Sequence, residues 1–134
     1  MSAAKPSFVY KLVSFLSPPP EKLPEALPVS VLDSKSGFVH LSTAVQLPGT
    51  LKRFFAEDPR VYILKLPYDA IEKDIKWESP NAEVCGERGG EGMFPHLYNG
   101  LRVGSAEVES MEMWEKTNGG WDEALERAKS WLVY

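Results

Sequence analysis

Gly37-Phe38-Val39-His40-Leu41-Ser42-Thr43 reads as a strand that ends on a helix cap. Its residues are aromatic, β-branched or small, as strands prefer. In an extended chain Phe38, His40 and Ser42 share one face, and Val39 and Leu41 share the other. The Thr43 hydroxyl is placed to cap the next helix. That helix is expected to be interrupted at Pro48-Gly49 and to resume through Leu51, Phe54 and Phe55.

Working outward, residues 8–16 (Phe-Val-Tyr-Lys-Leu-Val-Ser-Phe-Leu) predict a first strand, and residues 17–30, with five prolines, a surface excursion. Residues 60–66 predict a third strand ended by Pro67, and residues 75–78 a short fourth. Residues 79–92 hold four glycines and several charges, the composition of a long exposed loop. Phe94-Pro95-His96-Leu97-Tyr98 closes that loop, stiffened by its proline. Residues 101–103 and 106–113 are the last strand candidates. Asn118-Gly119-Gly120 is a break, and residues 121–132 carry Leu125, Ala128 and Leu132 on one helical stripe. Strands with helices inserted between them imply an α+β domain around a mixed or mostly antiparallel sheet with a C-terminal helix.

The chain has 134 residues, the size of one domain with a real hydrophobic core. Its net charge is −4 and its basic residues are scattered, so no nucleic-acid surface is expected. One cysteine, Cys85, excludes an internal disulfide and suits a reducing compartment. The first residues lack the apolar stretch of a signal peptide, and no apolar run approaches a membrane span. A cytoplasmic or nuclear protein is expected.

Both histidines of the chain lie in apolar, aromatic sequence. Burying an imidazole there is costly unless it is hydrogen-bonded or used. His40 and His96 are therefore the leading candidates for a site, with Ser42 and Thr43 as hydroxyl partners. Phe94 and Tyr98 would form a pocket wall. Trp77-Glu78 ends a strand, and Glu78 is a candidate proton acceptor. No phosphate-binding glycine loop, GxGxxG turn or GxSxG elbow is present. Cys85 lies near Glu83 and Glu87, whose charges disfavour a thiolate nucleophile. The histidines lack metal-ligand spacing, and no metal is expected.

Gly37–Thr43, Gln46, Trp77-Glu78 and Phe94–Tyr98, in this order, resemble the signature of the domain of unknown function 952 family. The resemblance spans residues 9–108 and leaves a C-terminal extension, 109–134. It implies an ADP-ribosyltransferase-like fold, a split sheet clasping NAD, and makes NAD the cofactor to consider. Phe-Val-His-Leu-Ser also resembles a strand of NAD-dependent RNA 2′-phosphotransferases. It implies that the first strand and residues 37–43 flank a cleft faced by His40, Ser42 and Thr43. Many members carry a histidine on the first strand where this chain has Tyr10-Lys11, so Tyr10 and Lys11 are expected near the ligand. Trp77 is expected there too, and Glu78 is the nearest counterpart of a transferase glutamate.

Three functions stand as expectations. One is an enzyme acting on a nucleotide-like or other small polar molecule, with His40, His96 and Glu78 catalytic. The others are a non-catalytic metabolite sensor in the same pocket, and an interaction module built on the Met- and Trp-rich C-terminal segment.

Overall fold

A computed structural model describes residues 4–134. Two three-stranded sheets organise it, and every pairing within them is antiparallel. Strands β1 (Phe8–Ser14), β3 (Arg60–Pro67) and β6 (Ser110–Glu115) form the first sheet, with β3 central. Strands β2 (Val39–His40), β4 (Ile75–Glu78) and β5 (Phe94–Leu97) form the second, with β5 central. The sheets meet where Tyr10 and Ser42 exchange backbone hydrogen bonds of 2.7 and 2.9 Å.

The first sheet is buried on both faces, which explains the nearly continuous apolar run of β3. Val9, Leu64 and Leu66 enter one core with Val39, Trp77 and Leu97 of the second sheet and with Leu41 just after β2. Tyr10, Leu12, Val61 and Ile63 alternate into another core with Leu47, Leu51, Trp114 and Trp121. Trp114 and Trp121 thus pack as core, although Met113 beside them is 48% exposed.

Helix α1 (Val31–Ser36) begins at Ser30, whose hydroxyl accepts from the Asp33 N–H, and stops at Gly37. Gly37 has φ of 81°, a conformation glycine adopts without strain. Helix α2 spans Leu47–Phe54, and Pro48 does not interrupt it. The proline lies in the first turn, where its missing N–H has no helical partner to lose. Thr43 and Gln46 bond reciprocally just before α2, each side chain accepting from the other's N–H. Helix α3 (Tyr68–Ile71) and a 3₁₀ turn (Glu72–Asp74) lead into β4.

Three expected elements change. Phe94–Leu97 is a central strand rather than the stiff end of a loop. Pro95 fits there because its register partner Trp77 directs its carbonyl to Gly86, while Pro95's own carbonyl accepts from Leu41. Residues 101–109 form loop and turn, and only Ser110–Glu115 extends. The final helix, α4, covers Asp122–Arg127, and the chain beyond it turns back to bond to Tyr10 and Lys65.

Candidate active site

The two histidines meet because of strand register. His40 of β2 stands directly opposite His96 of β5. Residues so paired project from the same face of a sheet with Cβ atoms about 5 Å apart. The ring centroids are 5.2 Å apart. Phe38, on the same face, covers both: its ring lies 4.5 Å from His40 and is stacked 4.2 Å from His96.

Each imidazole is anchored through Nδ1 to a buried carboxylate. His40 Nδ1 is 2.7 Å from Asp33 Oδ1, and Asp33 Oδ2 accepts from Lys11 Nζ at 2.6 Å. Asp33 also accepts from the His40 backbone N–H at 3.2 Å. His96 Nδ1 is 3.0 Å from Glu78 Oε1, which also accepts from the Tyr98 hydroxyl at 2.5 Å. The other Glu78 oxygen receives the Cys85 thiol at 3.7 Å. Among the described residues, neither Nε2 has a hydrogen-bond partner within the protein.

Burial pushes Glu78 upward, but hydrogen bonds from Tyr98 and His96 outweigh it and hold the carboxyl below its ordinary range. Burial likewise opposes the Asp33 charge, and His40 and Lys11 together overcome it. Burial pulls His96 below the usual imidazole value, more than Glu78 raises it. Tyr98 is pushed up to about 12, by burial first and then by Glu78, and stays a donor. An ionised Glu78 only accepts, so neutral His96 carries its proton on Nδ1 and presents a lone pair at Nε2. Asp33 fixes His40 in the same sense.

Both histidines line a cleft of about 880 Å³. Its walls come from β1, α1, α2, β5 and the proline-rich segment before α1. Lys11, Ser42 and Phe94 reach it, as expected from the sequence. Ser42 Oγ lies 2.9 Å from Thr50 Oγ1.

Five other expected residues are placed elsewhere, among them Tyr98, whose hydroxyl is turned to Glu78 and which does not line the cleft. Tyr10 is fully buried, its hydroxyl bonded to the Val133 backbone. Trp77 is in the core, its indole N–H donating to Tyr68. Thr43 is buried in its capping turn. Glu78 touches His96 and Tyr98 behind the cleft, so it positions a histidine. Sequence reasoning missed Asp33, Thr50 and Arg53; the one local signal for Asp33 was Ser30-x-x-Asp33 ahead of Gly37, a helix start. Among the described residues no group of three or more His, Cys, Asp and Glu is placed to hold a metal ion, and no helix is long and apolar enough to cross a membrane.

Residues 21–111 match the family described as "Protein of unknown function (DUF952)". The chain belongs to the DUF952 family. Its fold is similar to the crystal structure of protein CC0527 from Caulobacter crescentus, at 25% identity and a TM-score of 0.64, covering 89% of this chain and 98% of that one. The solution structure of CC0527 is similar at 25% identity and a TM-score of 0.59, covering 87% and 96%. A comparison with curated proteins returned no match. The site of this DUF952 chain is therefore read from its own geometry.

Proposed function

We propose that the His40/His96 cleft is a general acid–base site acting on a nucleotide-like or other small polar substrate. The observation that carries this is the pair of carboxylate-anchored imidazoles, 5.2 Å apart in one cleft. Carboxylates that fix tautomer and orientation are how histidines are prepared for proton transfer. His96 Nε2 takes the proton of an attacking hydroxyl or water. The freed oxygen bonds to the substrate's electrophilic centre, the bond to the leaving group breaks, and His40, as an imidazolium keeping its Nδ1–H on Asp33, delivers its Nε2 proton there. Exchange with solvent restores both rings.

An ADP-ribosyltransferase-like cleft is the more specific form of this reading, with NAD as cofactor or substrate. Its support is the pair of small antiparallel sheets, joined at Tyr10 and Ser42 beside the cleft. Glu78 favours the alternative of a non-catalytic metabolite sensor: with its carboxylate held by His96, Tyr98 and Cys85, it does not serve as a transferase glutamate facing NAD.

The test is a thermal-shift screen against NAD, ADP-ribose, nucleotides and small metabolites, with product analysis of each hit. A ligand at 100 times its Kd adds about 2.7 kcal/mol of stability. Turnover that falls about 100-fold or more in His40→Gln and His96→Gln supports acid–base chemistry. Tight binding without any product establishes the sensor instead.

A further inference from the structure

The cleft carries a charge balance opposite to that of the chain. The protein as a whole is at −4. The charged side chains lining the cleft, apart from the histidines, are two cations, Lys11 and Arg53, and one acid, Asp33. Asp33 is already engaged by Lys11 and by His40, which leaves Arg53 as the uncompensated charge. Its neighbour Lys52 reaches Asp122 at 3.7 Å, whereas Arg53 has no carboxylate partner among the described residues. Thr50 stands three positions before Arg53, so both occupy one side of α2. The Thr50 hydroxyl is paired with that of Ser42. A guanidinium and two hydroxyls thus line the same cleft as the histidines. Pro18, Pro19, Pro20, Leu32 and Phe54 supply apolar wall, and Phe54 is 62% exposed.

We infer that the cleft takes a substrate bearing a phosphate or phosphoester, held by Arg53, whose apolar or ring-shaped body lies along Pro18–Pro20, Leu32 and Phe54. The guanidinium fork matches two phosphate oxygens. The cleft's local positive charge draws an anion to an otherwise acidic protein. The inference rests on the cleft being the substrate site and is independent of the proton-transfer roles of the histidines.

Calorimetric titration of the full chain with adenosine, AMP, phenyl phosphate and inorganic phosphate tests it. AMP is expected to bind about tenfold or more tightly than adenosine, a difference that shrinks as salt rises. Arg53→Ala should abolish that difference, Arg53→Lys should keep part of it, and Lys52→Ala should leave it unchanged. Inorganic phosphate competing with AMP would place the preference in the anion itself. Equal affinities for AMP and adenosine, no binding by any phosphorylated probe, or an unaltered preference in Arg53→Ala would each overturn the inference. Arg53-dependent AMP binding with no histidine-dependent turnover would sink the acid–base reading alone. Turnover of an uncharged substrate, indifferent to Arg53, would sink the anion site alone.

Discussion

His96 holds its Nδ1 proton against Glu78 and is pulled below the ordinary imidazole value by burial. As a base it must be neutral, so activity is expected to fall on acidification below about 6.5. A kcat/KM profile with no acid limb there would contradict the role. The same groups set stability against pH. Asp33 and Glu78 have folded values below their ordinary ones, so what they contribute is complete above the unfolded carboxylate range and is lost as pH falls through the folded values. His96, also depressed, is protonated more readily when unfolded and pulls in the same direction at higher pH. Thermal midpoints from about pH 7 to 3 should therefore fall in an imidazole step and then a carboxylate step, and a midpoint that rises on acidification is incompatible with these pairings. Asp33→Asn leaves Lys11 without its counter-charge and His40 without its anionic acceptor. About 3 kcal/mol should be lost, roughly 10 °C in Tm. The histidines were legible as candidates because each sits in apolar sequence. Asp33 was not, because its bond to His40 forms across a left-handed glycine and a change from helix to strand, which no periodicity records.

At the scale of elements, the segment before α1 shapes the cleft without regular structure. It is fastened by Leu27 N–H to Val103 O at 2.8 Å and Ser105 N–H to Pro24 O at 2.9 Å. Between these fastenings the backbone passes so close to Gly104 that a Cβ there would stand 2.0 Å from Glu25 O. Gly104→Ala must displace the segment. Breaking the two hydrogen bonds costs about 1–3 kcal/mol, and proteolysis within residues 17–30 should quicken. An unchanged cleavage rate would show that the segment is held some other way. The proline content announced an excursion, but its docking partner lies far along the chain and is invisible to composition. The strands were more legible than the helices, because alternation survives at any length. Val39 and Leu41 do face the core while Phe38 and His40 face the site. Helix lengths depended on where the chain must turn: Pro48 starts α2, and α4 stops early so that Trp131 can offer its carbonyl to Lys65.

At the scale of the molecule, the two cores share the β1-β3-β6 sheet, so neither forms without it. The α+β class was readable from the order of elements. The division into two sheets was not, since it depends on β3 pairing with β1 and β6 and on β5 pairing with β2 and β4, contacts between distant parts of the chain. The matched family region ends at residue 111, yet the second core draws Trp114, Trp121, Ala124 and Ala128 from beyond it. β6 also covers one edge of β3, whose exposed N–H and C=O groups would otherwise invite pairing with other chains. A chain ending at residue 109 is therefore expected to lose its cooperative thermal transition and to aggregate. Truncating one buried tryptophan costs about 3–5 kcal/mol, and the deletion removes two of them and an edge strand, against a total stability on the order of 5–15 kcal/mol. Trp114→Ala in the full chain provides the graded version, with an expected loss of about 3–5 kcal/mol, whereas Met113→Lys on the exposed side should change stability by less than about 0.5 kcal/mol. If the shortened chain instead melts cooperatively, the first core suffices and residues 110–134 are an added layer; if it does not, the cleft and its histidines depend on a core completed from beyond the matched family region, one that packs the α2 helix lining the cleft.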